Sequence, residues 1–303
     1  MANTSSAFVA LVGRPNVGKS SLLNTILGQK VAIVSDKPQT TRNRIMGVHT
    51  DKEVQLVFLD TPGAHKPHDR LGDFMMESVN EAVSGVDVAI LVVEPTEHIS
   101  EQELALLEQS KRFKLPTILV INKIDLLEDK TKLLACIEAW RNAYAFEDIL
   151  PISAKTGDGV DLVTKSLKKF AVEGPHFFPD DALTDQSERT LAAELIREKM
   201  LHLLQHEIPH GVAVVIEQMS ERTGANGDLL DISANIYCER ESHKGIIIGK
   251  KGTMLKQIAS EARTEMEQML GIKVNLQCWV KVKEGWRNRP GSLGEFGFTM
   301  DKE

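Results

Sequence analysis

The chain has 303 residues, 42% of them hydrophobic and 26% charged, which excludes fibrous, collagen-like and wholly disordered proteins and gives about two domains' worth of length. A net charge of −7 argues against nonspecific nucleic-acid binding by the whole surface. The average conceals an asymmetry: residues 240–289 hold eleven Lys and Arg against five Glu, a local +6, so a polyanion would go to the C-terminal part.

The N-terminus, Met-Ala-Asn-Thr-Ser-Ser, has no basic segment and no long apolar region, so no signal peptide is expected and the cytoplasm is the expected location. Apolar runs at Phe8 to Val12, Val54 to Leu59, Val88 to Val93, Thr117 to Ile121 and Ile149 to Ile152 predict buried strands. The longest of them without a charge, Val88 to Val93, falls far short of the roughly 18 to 20 residues that cross a bilayer. Between the runs, Ser20 to Leu27, Glu101 to Phe113 and Lys130 to Tyr144 have helical period, and the alternation predicts an α/β domain with a mostly parallel sheet over residues 1–175. From Glu173 to Asp185 the pattern lapses into Gly-Pro-His-Phe-Phe-Pro-Asp-Asp, and residues 176–186 are expected to form a linker.

A smaller α+β domain is expected over residues 187–288: a helix from Ser187 to His206, strands at Val212 to Ile216 and Leu229 to Cys238, a turn at Gly249 to Gly252, a helix from Thr253 to Leu270, and a strand from Val274 to Val282. That order is α-β-β-turn-α-β. Residues 289–303 are Gly-rich and are expected to be a tail. Cys136, Cys238 and Cys278 are odd in number and far apart, which predicts reduced, buried thiols in place of disulfides or a zinc knuckle.

Motifs stand at the ends of the predicted strands. Gly13-Arg-Pro-Asn-Val-Gly18-Lys19-Ser20 matches G-x-x-x-x-G-K-S between a strand and a helix, a loop whose backbone N–H groups wrap phosphates. Lys19 would reach the β and γ oxygens and the Ser20 hydroxyl would bind Mg²⁺; Gly13, Asn16, Val17, Gly18 and Ser21 complete the expected phosphate site. Asp60-Thr61-Pro62-Gly63 would place a carboxylate near Mg²⁺ and a Gly63 N–H near the γ-phosphate. In Asn122-Lys123-Ile124-Asp125 the last carboxylate can accept both the N1–H and the 2-amino group of guanine, which adenine cannot offer. Ser153-Ala154-Lys155 could brace the same base. In the C-terminal part, Ile248-Gly249-Lys250-Lys251-Gly252 is a G-x-x-G loop in which glycines let the backbone approach a sugar-phosphate chain and the lysines supply charge. His206-Glu207-Ile208-Pro209-His210 matches the zincin signature H-E-x-x-H, but Pro209 is expected to end the helix that this chemistry needs.

Together G-x-x-x-x-G-K-S, D-T-P-G, N-K-x-D and S-A-K resemble the translation-factor branch of P-loop GTPases, and Lys37-Pro38-Gln39-Thr40-Thr41-Arg42 resembles the effector loop of the Era family. The C-terminal part resembles a type II KH domain. The resemblance implies that Thr41 binds Mg²⁺, with Thr40 the alternative, and that Lys19, Thr41 and Gly63 hold the γ-phosphate while water attacks it. Ala64 follows Gly63 where Ras-like enzymes carry a water-orienting glutamine, and the related assembly GTPases a bulkier apolar residue. An asparagine at the place of Asn16 ligates K⁺ in related GTPases; an ordinary turn residue is the other reading. The implied activity is hydrolysis of GTP to GDP and phosphate. Implied partners are the small ribosomal subunit and the 3′ region of its rRNA, bound with nucleotide-controlled affinity, by a monomer peripherally associated with the inner face of the membrane. Rival readings are an ATP-dependent kinase, opposed by Asp125; a tRNA-modifying GTPase, opposed by the lack of a cysteine after Cys278; a Der-like GTPase, opposed by the single P-loop; and an RNA-binding protein with a vestigial nucleotide pocket.

Overall fold

Along β1 (Ser5–Val12), Ala7, Val9 and Leu11 belong to one hydrophobic core and Ala10 and Val12 to another, so the strand is covered on both faces. The computed structural model describes residues 4–64, 67–129, 131–224 and 227–298 and divides the chain into two units, Met1–Pro67 with Gly72–Asp185, and His68–Leu71 with Gln186–Glu303. After β1 come α1 (Lys19–Leu27), β2 (Ile45–Asp51), β3 (Val54–Asp60), α2 (Arg70–Ser84), β4 (Val88–Val93), α3 (Glu101–Phe113), β5 (Thr117–Ile121), α4 (Thr131–Ala143), β6 (Ile149–Pro151), α5 (Val160–Leu167) and β7 (Val172–Glu173). Lys130, the predicted start of α4, lies outside the described residues.

The strands form one sheet in the order β2-β3-β1-β4-β5-β6, parallel except for β2, which runs antiparallel to β3; β7 pairs antiparallel with the start of β1. Leu22, Leu23, Val163 and Leu167 of α1 and α5 pack on one face. Val79, Leu106, Leu107, Cys136 and Trp140 of α2, α3 and α4 pack on the other. A sheet sealed on both faces leaves its strand ends as the place for a ligand, and the loops after β1, β3, β5 and β6 meet there. The sequence reading did not assign β2, α2, α5 or β7. In β2 a glycine interrupts the apolar pattern because Gly47 lies against α1, where an added Cβ would sit 2.7 Å from Leu23 Cδ1.

The stretch expected to be a linker is bound to the first unit. Gln55, fully buried in β3, accepts from the N–H groups of Phe177 and Phe178 at 2.9 and 3.0 Å and donates to the Phe178 carbonyl at 3.0 Å. Further on, the Val48 N–H donates to the Leu183 carbonyl at 2.8 Å and the Thr184 hydroxyl to the Met46 carbonyl at 2.6 Å.

The second unit contains α6 (Glu188–Leu203), β8 (Ala213–Gly224), β9 (Gly227–Cys238), α7 (Glu241–Ile248), α8 (Thr253–Leu270), β10 (Lys273–Val282) and α9 (Pro290–Glu295). Its sheet has the order β10-β9-β8, with β9 antiparallel to β8 and parallel to β10. Two sequence expectations are corrected. The apolar run Ile246 to Ile248 closes a helix, α7, so the order is α-β-β-α-turn-α-β; with a glycine and three isoleucines its local propensity is poor, and burial of His243 and Ile247 holds it. Residues 289–298 are not a tail. Trp286 is fully buried, donates from Nε1 to the Gly211 carbonyl at 3.0 Å, and packs against Phe296 and Phe298 at ring-centroid distances of 5.2 and 5.9 Å. The remainder of the expected tail, residues 299–303, lies outside the described residues.

Because Trp286 is the anchor of this corner, Trp286→Ala should destabilise the second unit by about 3 to 5 kcal/mol. Denaturant unfolding followed by far-ultraviolet circular dichroism measures this; a loss below about 1 kcal/mol would contradict the anchoring role.

Candidate functional site

The loop after β1 turns sharply around a space of about 410 Å³, within the usual range for a small-ligand site. Gly13 has φ +151 and Gly18 φ +99, and a Cβ at either would collide, with the Val92 carbonyl oxygen and the Asn122 amide respectively. Both are therefore required to be glycine. Val17 is buried under the loop, Ser21 lines the space beside Ser20, and Asn16 lies at its exposed rim with a left-handed φ of 65. The Asn16 amide nitrogen donates to the Asp36 carbonyl at 2.5 Å.

Lys19 is buried and donates from Nζ to the carbonyls of Gly13 and Arg14, each at 3.1 Å. Burial pushes its ammonium down to about 8, against the opposing attraction of Asp60. Burial likewise pushes the Asp60 carboxyl up to about 6, resisted by Lys19 and by hydrogen bonds from Ser20 and Thr61. Ser20 Oγ donates to Asp60 Oδ2 at 2.6 Å and lies 3.0 Å from Thr41 Oγ1. Among the described residues, Asp60 Oδ1 is buried with no hydrogen-bond partner. Three oxygens, one of them an orphaned carboxylate atom, thus converge, which is the hard donor set that suits Mg²⁺. Of the two candidate threonines, Thr41 belongs to this cluster, whereas the Thr40 hydroxyl turns back to the Lys37 carbonyl at 2.6 Å.

Gly63 closes the other side. A Cβ there would lie 2.6 Å from the backbone N and Cα of Pro15, so only glycine lets this loop rest on the phosphate loop. The next N–H, of Ala64, donates to the Gly13 carbonyl at 3.1 Å, and its methyl group is buried in the core with Val79 and Leu91. Its side chain therefore points into the core, and Gly63, not Ala64, lines the space beside Lys19.

At the base-binding end, the Asn122 side chain spans two loops, donating to the Val17 carbonyl and accepting from the Ala154 N–H, both at 2.9 Å. Asp125 is exposed, and its Oδ1 accepts from the buried Ser153 hydroxyl at 2.6 Å, a bond that leaves Oδ2 uninvolved. Lys123 pairs with Glu94 at 2.5 Å, and Lys155 is exposed. One contact escaped the sequence reading: Arg14 Nε donates to buried Glu103 at 2.9 Å. Glu103 also completes a capping box with Ser100 at the start of α3, and that S-x-x-E spacing was its readable signal.

In the second unit, Gly249 has φ 73 and a Cβ there would lie 2.7 Å from Met254 Cβ, while Gly252, φ 78, caps α8. Ile248 ends α7, and Lys250 and Lys251 between the glycines are exposed. Beside this loop, α8 and β10 border a groove of about 350 Å³ lined by Lys256, Arg263, Leu276 and Cys278. At the zincin lookalike, α6 ends at Leu203 and His206 has a left-handed φ of 56, so the two histidines do not share a helix.

A 50S ribosome-binding GTPase family matches residues 8–123 and the KH domain family matches residues 207–287. The phosphate loop, the sheet that carries it and the C-terminal G-x-x-G unit define a P-loop GTPase joined to a KH domain. GTPase Era of Clostridioides difficile is 52% identical over 97% of this chain and 98% of its own, and GTPase Era of Ruminiclostridium cellulolyticum 50% over 98% of each. Among solved structures, a point variant of Aquifex aeolicus Era bound to GDP·AlF₄⁻ is 39% identical with a TM-score of 0.93, over 98% of this chain and 100% of that one. An Era complex with MgGDPNP and nucleotides 1506–1542 of 16S ribosomal RNA is 40% identical with the same TM-score and coverage. The chain belongs to the Era GTPase family; it is an enzyme that binds and hydrolyses GTP.

Since the Asn122 amide ties the phosphate loop to the base loop from a buried position, Asn122→Ala should weaken GDP affinity by about tenfold or more. A fluorescent-nucleotide titration measures this, and unchanged affinity would show the bridge to be dispensable.

Proposed function

We propose that the cleft holds GTP with its guanine on Asp125, Ser153 and Ala154 and its phosphates on Gly13 to Ser21, and that the second unit binds small-subunit rRNA near its 3′ end during assembly of the small ribosomal subunit. The observation that carries the first part is the convergence of Ser20, Thr41 and Asp60 Oδ1 beside buried Lys19. Those three residues would hold Mg²⁺, which when bound neutralises charge on the β- and γ-phosphates. The Lys19 ammonium, released from the Gly13 and Arg14 carbonyls, turns to the phosphate oxygens, whose negative charge favours its protonated form. Gly63 and Thr41 fix the γ-phosphate from the opposite side. Water attacks it, the bond to the β-phosphate breaks, and GDP and phosphate leave.

Position 64 carries only a buried methyl group; at the rim of the cleft Asn16, whose amide nitrogen donates to the Asp36 carbonyl, would hold K⁺, which would supply positive charge near the transferring phosphate. For the second part, support comes from the exposed lysines of the G-x-x-G loop, the adjoining basic groove, and the RNA carried by the related Era complex. A monomer in the cytoplasm, associating with the membrane only peripherally, completes the reading; no helix among the described residues is long and apolar enough to cross a bilayer.

Asp125→Asn should shift preference from guanine to xanthine nucleotides, because an amide can donate to the added oxygen of xanthine; equal binding of ATP and GTP by the unmodified chain would defeat the base assignment. Phosphate release should be faster in K⁺ than in Na⁺ at equal ionic strength, and the difference should vanish in Asn16→Ala; rates blind to the monovalent ion would return Asn16 to a turn residue. For the RNA, replacing Lys250 and Lys251 with Asp should lower affinity and flatten the slope of log affinity against log salt by up to about 1.4, with GTP affinity nearly unchanged. RNA titrations at several salt concentrations, paired with a nucleotide titration on the same variant, measure this. Undiminished binding with an unaltered slope would move the RNA site away from the loop.

A further inference from the structure

Helices α6, α7 and α8 cover one face of the second unit's sheet. In β10, Val274, Leu276, Cys278 and Val280 point to that side, and Leu276 and Cys278 reach the groove beside the G-x-x-G loop. The alternate residues Gln277, Trp279 and Lys281 point to the opposite face. There Trp279 is 47% exposed, whereas the other two tryptophans, Trp140 and Trp286, are at most 1% exposed. About half of the indole is thus open to water and can receive a flat partner.

Its surroundings are cationic and aromatic. Lys281 is exposed, carries no ion pair among the described residues, and sits over the Tyr237 ring at 5.9 Å, with Lys283 over the same ring at 5.8 Å. Lys283 is paired with Glu295, and Asn235, the β9 residue opposite Trp279, donates from its amide to Glu217, which keeps its charge. Lys281, without an acidic partner among the described residues, is the cation this face offers to a phosphate. Position in the sheet matters equally: β10 is the edge strand, so no neighbouring strand separates the groove on one face from Trp279 on the other.

We propose that this outer face of β10 is a second contact site for single-stranded RNA, where a nucleobase stacks on Trp279 and an adjoining phosphate meets Lys281. The inference rests on the reading of the second unit as RNA-binding and extends it. A strand lying in the groove against Leu276 and Cys278 passes over the open edge of β10 and reaches the indole within the same molecule of RNA. Stacking on an indole is tolerant of base identity, and a lysine next to it takes the backbone, so the site lengthens the bound segment without demanding a new sequence.

The test uses the full chain and the 16S rRNA segment 1506–1542, end-labelled, with anisotropy reporting binding and tryptophan emission reporting the site. Because Trp140 and Trp286 are buried, RNA stacking should quench the accessible emission and shield it from acrylamide, and both effects should be absent in Trp279→Phe. Trp279→Ala should weaken binding by about tenfold, Trp279→Phe should retain most of the affinity, and Lys281→Gln should flatten the salt slope by about 0.7. The three variants should keep the circular dichroism spectrum of the unmodified chain. Absence of any anisotropy change in the unmodified chain would defeat the RNA reading as a whole. Binding that leaves tryptophan emission unchanged, or full affinity in Trp279→Ala, would overturn this site alone and leave the open indole to a protein partner.

Discussion

A lysine ammonium and an aspartate carboxylate buried within reach of each other's charge set the terms for the first unit. Lys19 and Asp60 are each buried, and burial displaces both toward their neutral forms. Neither is discharged in isolation: Lys19 leans on two carbonyls of its own loop, and Asp60 accepts from Ser20 while one oxygen stays without a partner. Such an arrangement is costly to keep ready and is offset when phosphate and a divalent cation arrive to complete it. The glycines around it follow from the same demand. Gly13, Gly18 and Gly63 are positions where one loop rests directly on a neighbouring strand or loop with no room for a Cβ.

The second unit solves a different problem, that of a three-stranded sheet covered on one side. Its helices supply one core, and the last turn of chain brings Trp286, Phe296 and Tyr237 together at the sheet's end. What remains open is the outer face of an edge strand, and the chain leaves polar and aromatic groups there in place of an apolar surface.

How far the sequence could be read depended on how local each signal was. The strands β1, β3, β4 and β5 were legible because burial on both faces writes an unbroken apolar run, and the motif loops because glycine spacing encodes backbone shape. β2 was not, since its pattern is broken by Gly47, whose reason is a close approach to Leu23 that no local window contains. Helix α7 was hidden for a similar cause: glycine and isoleucines speak against a helix until His243 and Ile247 are buried. At the site, residue types narrowed the candidates, but that Thr41 and not Thr40 lies beside Ser20, that Ala64 turns inward and that Asn122 bridges two loops are matters of direction. The packing of residues 289–298 likewise depends on Trp286, a single aromatic whose partners lie in its own glycine-rich surroundings.

Residues 174–184 illustrate how composition can mislead about what a segment protects. β2 ends the sheet, and a bare end strand is a template on which a second chain can add itself. Val48 and Met46 instead bond to Leu183 and Thr184, and buried Gln55 holds the preceding phenylalanines in line. The proline-rich strap is thus a cover sewn along the vulnerable margin of the nucleotide-binding unit. Separating that unit at its last strand would strip the cover, and the solubility of the isolated piece, more than its fold, would suffer first.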